Sequence, residues 1–132
     1  MRTGVDLISV KRFERVMAKH GSRFLGRIFT EEELAVCCGD PRRLAGRFAA
    51  KEAVSKALGT GIGREGVRFR DIEIRSGRDG APEVTLHSAA RALYQKRGGR
   101  SLSLSISHEN EYALAFCILD TVPGLKGEAE DD

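Results

Sequence analysis

The sequence predicts a small α+β protein of one domain, in which an antiparallel sheet packs around a central helix. Its 132 residues suffice for one packed core and are too few for two comfortable ones. Apolar residues make up 41% and charged residues 31%, as in ordinary globular domains, so neither disorder nor a fibrous repeat is expected. Helical patterns are segregated from alternating strand patterns, which favours α+β architecture over a parallel α/β sheet.

The first predicted elements are a short strand over residues 3–8 and a helix after it. Asp6 interrupts the apolar run of the strand, where a carboxylate is also common as an exposed strand end or a helix cap. Ser9 is a candidate N-cap, and apolar residues recur after it at helical spacing: Val10, Phe13, Val16 and Met17. Gly21 is expected to end this helix.

Two further helices follow. The capping-box pair Thr30 and Glu33 predicts a short second helix, which the Gly-Asp-Pro segment at 39–41 ends. The third helix, over about residues 42–58, is expected at the centre of the fold. Its apolar residues cover most of the circumference, as in a helix surrounded by protein: Leu44, Phe48, Ala53, Val54, Ala57 and Leu58.

Polar and glycine residues at the end of this third helix are candidates for function. Glu52 and Lys56 lie one turn apart on one face, although the same spacing suits an ordinary surface ion pair. The helix ends at Gly59, Thr60 and Gly61. Such a segment is a common helix C-cap, and it lacks the spacing of a P-loop. Each signal is weak alone.

The second half of the chain reads as strands around one helix. Alternating residues predict a hairpin of two strands, over residues 69–75 and 83–87, with a turn between them. A fourth helix is expected over about residues 89–97, with Ser88 as its cap. Two further strands are predicted over residues 101–107 and 112–119.

His108 follows the most regular of these strands, in which four serines occupy one face and apolar residues the other. A histidine at a strand end is often structural, but here it precedes a polar turn where a ligand could bind. The domain is expected to cover residues 1–122, and residues 123–132 form a polar acidic tail.

Basic residues are concentrated near the N-terminus. Residues 1–29 hold seven lysines and arginines against two acidic residues, whereas the last eight residues hold one lysine against four acidic ones. A basic end would attract nucleic acid, an anionic membrane, a phosphorylated ligand or an acidic protein. The three cysteines show no zinc or disulfide pattern, and no span or signal peptide is recognisable. A cytoplasmic protein with reduced thiols is therefore expected.

Together the polar clusters suggest a site for a diphosphate. Mg²⁺ prefers a few carboxylates together with substrate oxygens, and Asp6 and Glu52 could supply two from separate elements. Lys56, His108 and the N–H groups of the glycine segment could contact the remaining phosphate charge. The chemistry that this combination predicts is phosphoryl transfer.

Three blocks of the chain carry a family resemblance: GVDLI at 4–8, LAGRFAAKEAVSKALGTGI at 44–62 and SISH at 105–108. They resemble the holo-acyl-carrier-protein synthases, the short bacterial class of 4′-phosphopantetheinyl transferases. The segments FTEEEL at 29–34 and DIEI at 71–74 also fit this family. The resemblance spans about residues 4–119 and implies the 4′-phosphopantetheinyl transferase fold.

The resemblance implies roles for the candidate residues. Asp6 and Glu52 would bind Mg²⁺, and Lys56 and His108 would contact the phosphates of coenzyme A. The groove for the nucleotide would be lined by Arg47, Gly59, Thr60 and Gly61. Glu52 is the preferred general base, acting directly or through a water bound to the metal. Glu109 would be a supporting group or merely a solvated turn residue.

The implied reaction moves 4′-phosphopantetheine from coenzyme A to a serine of apo acyl carrier protein, as in fatty acid biosynthesis, and releases adenosine 3′,5′-bisphosphate. Acyl carrier proteins are strongly acidic, so the basic first helix could dock one through Lys11, Arg12, Arg15, Lys19 and, just beyond it, Arg23. The family assembles as a homotrimer with active sites between subunits. A chain of this size without an internal repeat would also need a second subunit to complete its site.

Two other classes of protein remain alternatives. The N-terminal charge would suit a small basic nucleic-acid-binding module, but the chain has no Trp, only 6% aromatic residues and no stacking pattern. A non-catalytic domain that binds coenzyme A or another nucleotide would use the glycine segment and Lys56 without needing two carboxylates. With the transferase as the leading hypothesis, neither a nucleic acid nor a membrane is expected as a partner.

Overall fold

A computed structural model describes residues 1–123 of the chain. The predicted acidic tail, apart from its first residue, lies outside the described part. The helices are α1 (Val10–Ile28), α2 (Glu31–Cys37), α3 (Pro41–Ala57) and α4 (Ser88–Lys96). The strands are β1 (Arg2–Ser9), β2 (Ile72–Ser76), β3 (Pro82–Leu86), β4 (Gly99–His108) and β5 (Tyr112–Thr121). Between residues 1 and 123, no helix is long and apolar enough to cross a membrane.

All strand pairs are antiparallel. The larger sheet has the order β1-β5-β4, and β2 and β3 form a separate two-stranded sheet. Ala115 of β5 pairs with Asp6 on one side and with Ile106 on the other. Helix α3 contacts β1, β5, β4 and β2, so both sheets are built around it. The α+β prediction, with antiparallel strands around a central helix, is confirmed.

Small residues allow α3 to serve as the centre of the core. Ala45, Ala49, Ala53 and Ala57 are all fully buried, so their short side chains bring the sheet close to the helix backbone. Gly4 of β1 sits at the tightest point, because a Cβ atom there would collide with the carbonyl oxygen of Ala53. The absence of a side chain at this position therefore sets how closely β1 approaches α3.

The first helical segment breaks at Gly21, as predicted, but a second segment follows it directly. Gly21 does leave the helical conformation, with φ 66° and ψ −153°, but the chain resumes a helix that runs to Ile28. The second part packs inward, since the Phe24 ring lies 6.0 Å from that of Phe13. The glycine makes a kink, and packing against the core continues the helix beyond it.

Two other element boundaries differ from the predictions. Phe69–Asp71 forms a 3₁₀ turn, so the strand begins at Ile72 rather than at residue 69. The Asp71 carboxylate holds the turn by accepting a hydrogen bond from the N–H of Arg68 at 3.0 Å. Ser88 is the first residue of α4 instead of its cap, which is His87.

The predicted alternation in β4 is confirmed, with its serines exposed and its apolar residues turned to the core. The same outer face of the sheet is apolar on the neighbouring strands. Large hydrophobic side chains remain exposed there, by 41% to 62%: Val5, Leu7, Tyr112, Leu114 and Phe116. Register places Val5 opposite Phe116 and Leu7 opposite Leu114, so these residues form one patch, called here the outer apolar face.

Candidate functional site

The structure brings Asp6 and Lys56 into direct contact. Gly4, Asp6 and Ile8 are the more buried residues of β1, which turns the carboxylate toward α3. The ammonium group of Lys56 lies 3.2 Å from Oδ1 of Asp6 and donates a hydrogen bond to the carbonyl of Val5 at 2.9 Å. The predicted convergence of strand and helix at this point is present.

Glu52 belongs to the same cluster. Its pKa is raised above the ordinary value of 4.5, first by burial and then by the negative charge of Asp6, while Lys56 acts in the opposite direction. In the described structure, Lys56 forms its ion pair with Asp6. Glu52 is therefore a carboxylate that is held near a second one and is only partly neutralised by the nearby ammonium group.

This cluster has the donor chemistry of a partial magnesium site. Within residues 1–123, no three or more His, Cys, Asp or Glu side chains converge to hold a metal ion. Two carboxylates that repel each other can still share a cation whose remaining ligands are water and substrate oxygens, the arrangement that Mg²⁺ favours. The assignment of Asp6 and Glu52 as metal ligands stays a prediction.

His108 and Arg47 meet at a second place, a cavity of about 160 Å³. Its walls come from α3, the β2–β3 hairpin and the end of β4: Arg43, Arg47, Ile74, Arg75, Ser76, Gly80, Pro82, Ile106 and His108. Gly46 lets β4 lie against α3, since a Cβ atom there would be 3.0 Å from Cγ2 of Ile106 and 3.6 Å from Cδ2 of His108. The cavity carries three guanidinium groups and is suited to an anion.

Arg47 has an incomplete set of hydrogen bonds. Its Nη2 donates to Oγ of Ser76 at 3.2 Å, whereas its Nε is buried and has no acceptor in the described structure. A buried donor without an acceptor costs about 1–3 kcal/mol, so such a group is a natural contact point for a ligand oxygen. Arg43 and Arg75 were not predicted for this cavity. The spacing of Arg43 one helical turn before Arg47 was the signal available for it.

The two clusters of one chain face different directions. Arg47 and Glu52 are five residues apart on α3, which is about 7.5 Å along the axis and about 140° around it. Asp6 lies on β1 and His108 on β4, the two edge strands of the larger sheet, with β5 between them. One chain therefore presents a carboxylate half and a cationic half that do not form a single closed pocket.

The glycine segment is used mainly to end α3. The N–H of Gly59 donates to the carbonyl of Lys56, and those of Thr60 and Gly61 donate to that of Ser55. Oγ1 of Thr60 donates to the carbonyl of Arg64 at 3.1 Å. The predicted helix C-cap is present, and a contact of this segment with a nucleotide stays a prediction.

The residues proposed for docking are exposed on α1: Lys11, Arg12, Arg15, Lys19 and Arg23. Arg12 also lines an apolar cavity of about 360 Å³ between β1 and α1, together with Leu7, Phe13, Phe24 and Phe48. Phe48 lies one turn before Glu52 on α3, so this cavity lies near the carboxylate cluster. Glu109 is exposed in the β4–β5 turn, where its N–H donates to the carbonyl of Tyr112 at 2.9 Å.

Comparisons with known proteins identify the family of this chain. The sequence profile of the 4′-phosphopantetheinyl transferase superfamily matches residues 2–117. A holo-[acyl-carrier-protein] synthase of Carboxydothermus hydrogenoformans is 46% identical over 120 residues, which are 89% of this chain and 95% of that protein. One of Shewanella amazonensis is 48% identical over 119 residues, 88% of this chain and 94% of that protein.

Solved structures show the same fold. The holo-[acyl-carrier-protein] synthase of Neisseria meningitidis has a TM-score of 0.83 and 42% identity, over 91% of this chain and 98% of that one. The Helicobacter pylori enzyme, solved in complex with coenzyme A, has a TM-score of 0.82 and 36% identity, over 89% of this chain and 99% of that one. By sequence and by fold, this chain belongs to the 4′-phosphopantetheinyl transferase superfamily.

Proposed function

We propose that this protein transfers the 4′-phosphopantetheine group of coenzyme A to a serine hydroxyl of apo acyl carrier protein. Adenosine 3′,5′-bisphosphate is the other product. The observation that carries the proposal is the convergence of Asp6, Glu52 and Lys56 where β1 crosses α3. Relatives that are 40% to 48% identical over most of the chain are holo-[acyl-carrier-protein] synthases, which supports the choice of substrates.

The carboxylate cluster would hold Mg²⁺ through Asp6 and Glu52. When bound, the cation supplies charge neutralisation for the diphosphate of coenzyme A. Lys56 is half exposed and only 3.2 Å from Asp6, so its ammonium group can turn from that carboxylate to a phosphate oxygen without desolvating a new charge. These groups stabilise the negative charge that develops as the phosphorus–oxygen bond of the leaving group breaks.

Glu52 is the proposed general base. It would act directly or through a water bound to the metal. In the metal-free protein, burial and the charge of Asp6 raise the pKa of Glu52, and a bound cation would act in the opposite direction. The serine hydroxyl of the carrier protein would give its proton to a carboxylate oxygen of Glu52 as its own oxygen attacks the β-phosphorus. The phosphopantetheine arm then remains on serine.

The cationic cavity would bind the nucleotide end of coenzyme A. Arg43, Arg47, Arg75 and His108 surround it, and Nε of Arg47 offers a donor that lacks a protein acceptor. Because this cavity and the carboxylate cluster face different directions in one chain, a complete site would combine the two halves from neighbouring subunits. The homotrimer expected for the family would meet that requirement.

The outer apolar face supports such an assembly. Leu7 is 62% exposed and Phe116 43%, although both lie on regular strands of a well-packed sheet. A contiguous exposed apolar patch commonly marks a protein interface. Burying it between copies of this chain would remove these side chains from water.

The basic face of α1 would dock the carrier protein. Arg12 stands between the exposed charge of the helix and the apolar cavity beside Asp6, so an acidic protein bound there would deliver its serine near the carboxylate cluster. Charge complementarity of this kind raises association rates. Arg15, Lys19 and Arg23 extend the same basic surface.

The decisive experiment measures the intact mass of purified apo acyl carrier protein after incubation with this protein, coenzyme A and Mg²⁺. A mass increase equal to one phosphopantetheine group, located on a serine by fragmentation, supports the transferase. An unchanged mass, with an acceptor that a known synthase does modify, contradicts it. Tight binding of coenzyme A without a mass change would select the non-catalytic alternative.

A further inference from the structure

A buried ion pair lies apart from both halves of the site. Lys51 of α3 is fully buried, and its ammonium group lies 2.9 Å from Oε1 of Glu33 in α2. It also donates hydrogen bonds to the carbonyls of Phe69, at 3.0 Å, and Ile72, at 2.6 Å. All three N–H groups of the ammonium ion therefore have an acceptor, which a buried lysine requires.

The carboxylate of Glu33 is equally well satisfied. Besides Lys51, its Oε1 accepts from the N–H of Thr30 at 2.8 Å. Its Oε2 accepts from the N–H of Ile74 at 2.9 Å. The first of these backbone contacts belongs to the capping box of α2, and the second reaches across to β2. One carboxylate thus ties the start of α2 to a strand more than forty residues away.

Lys51 and Glu33 supply hydrogen bonds to the open edge of β2 that an adjacent strand would otherwise supply. The carbonyl of Ile72 and the N–H of Ile74 point to the same edge of the strand, because backbone groups of alternate residues share an edge. The opposite edge pairs with β3, and within residues 1–123 no second strand lies beside β2. Lys51 acts as the donor and Glu33 as the acceptor that an adjacent strand would have supplied.

This edge controls one wall of the cationic cavity. The β2–β3 hairpin supplies Ile74, Arg75, Ser76 and the turn residues to that cavity, and a two-stranded hairpin is only marginally stable alone. It meets α3 through the hydrogen bond from Arg47 to Ser76 and through the buried side chains of Ile72 and Ile74. This wall of the cavity therefore depends on contacts that hold β2 in place deeper in the protein.

We infer that Lys51 and Glu33 are positioning residues for the nucleotide site, because they hold the open edge of β2 at the distance from α3 that the cavity needs. This inference rests on the proposed function for the identity of the ligand. Neither residue touches the ligand. Their effect passes through Ile72 and Ile74 to Ser76 and, from there, to the guanidinium group of Arg47.

The test compares Lys51→Met, Glu33→Gln and the double variant K51M/E33Q. Each single variant leaves one buried charge or donor uncompensated, so the melting temperature should fall in both. The double variant removes both charges and should recover much of that loss. It still lacks the lysine donor to Ile72, and a glutamine at position 33 has only one acceptor oxygen for the N–H groups of Thr30 and Ile74. The dissociation constant for adenosine 3′,5′-bisphosphate, measured by calorimetry, should therefore remain weaker by roughly tenfold.

Matched measurements separate positioning from mere stabilisation. The KM for carrier protein should stay within about twofold in the double variant, since docking uses α1. Arg100→Gln, which breaks only the exposed pair with Asp120, should change neither affinity nor melting temperature. Recovery of nucleotide affinity in step with the melting temperature would overturn the inference and leave the pair a purely stabilising one.

Hydrogen exchange of the backbone amides of β2 tests the inference even if the single variants fail to fold or the parent protein shows no transfer. In the double variant and in Glu33→Asp, which keeps the charge but shortens the reach to Ile74, the Ile74 amide should exchange faster while amides of β5 do not. This readout needs no ligand and survives if the single variants fail to fold. If transfer fails in the parent protein but exchange responds as expected, the proposed function is wrong and the anchor is real. Unchanged exchange would refute the anchor itself.

Discussion

The ammonium group of Lys56 lies 3.2 Å from Oδ1 of Asp6 and ties the last turn of α3 to β1. The lysine side chain is 50% exposed and the aspartate 18%, so the contact is worth about 1 kcal/mol or less and can rearrange readily. Glu52 lies one turn earlier on α3, where Asp6 and burial raise its pKa. Two carboxylates and one movable ammonium group therefore share a small space.

Removing either carboxylate should abolish magnesium-dependent transfer. Asp6→Asn and Glu52→Gln keep the shape of the side chain but remove the charge that attracts the cation. We expect kcat/KM for transfer to fall by about 100-fold or more, because a metal ion contributes several kcal/mol to charge stabilisation. Circular dichroism should be unchanged, and Asp120→Asn, at a half-buried position paired with Arg100, provides the control. Activity retained by both variants in the presence of a chelator would disprove the metal assignment.

Glu52 should reduce the stability of the metal-free protein at neutral pH. Its folded-state pKa is raised, so the native state binds its proton more tightly than the unfolded chain does. Ionised Glu52 therefore destabilises the native state as pH rises above the ordinary value of 4.5, fully so once pH exceeds the raised pKa. Glu52→Gln should increase the Tm at about pH 8 and give no increase at about pH 4, in metal-free buffer.

The close approach of β1 and α3 should make Gly4 intolerant of even a methyl group. In Gly4→Ala the new Cβ meets the backbone of Ala53, which cannot move aside as a flexible side chain could. We expect a loss of about 1–3 kcal/mol in the free energy of unfolding, as for other overpacked sites. Gly26→Ala is the matched control, because its Cβ would meet nothing within 4 Å, and helix propensity should leave it neutral or slightly stabilised.

Local patterns account well for the elements that carry the carboxylate half of the site. The apolar run that Asp6 interrupts correctly predicted the strand β1. The apolar residues around most of the circumference of α3 correctly predicted a buried helix, which bears Glu52 and Lys56. Periodicity reports burial reliably where one element is surrounded by protein. It could not show that Lys56 pairs with Asp6, because that contact depends on how β1 crosses α3.

The cationic half could be predicted only in part. His108 was identified from its place at the end of a regular strand, and Arg47 through the family resemblance. Arg75 was missed, because it reaches the cavity only when the hairpin folds back on α3, a contact between residues distant in sequence. Contacts between residues distant in sequence also explain why a helix continues after Gly21 and why the strand does not begin at Phe69. A glycine signals a break without showing whether tertiary packing resumes the helix. Phe69 of the 3₁₀ turn stacks on Phe48 of α3, at 5.2 Å between ring centroids, which is a contact between residues distant in sequence.

Reversing charge on α1 should weaken the carrier protein selectively. In Arg12→Glu/Arg15→Glu we expect a higher KM for acyl carrier protein and a nearly unchanged KM for coenzyme A. Added salt should act in the same direction, since exposed charges are screened over about 10 Å near 0.1 M. Arg91→Glu/Lys96→Glu on α4 makes the same change in net charge at another exposed helix and should have little effect. Equal losses for both substrates would mean that α1 is structural.

The active unit should be a homo-oligomer, most simply a trimer, whose sites combine the carboxylate half of one subunit with the cationic half of another. The two halves face different directions in one chain, and the outer apolar face is available for the contact. Mixing inactive Glu52→Ala with inactive His108→Ala should restore part of the activity after subunit exchange, because some interfaces then hold one intact pair of halves. Phe116→Glu should dissociate the assembly and remove transfer together. Full activity at a monomeric mass, measured by light scattering at the assay concentration, would contradict shared sites; failed complementation with the oligomer intact would place both residues in the same subunit's site.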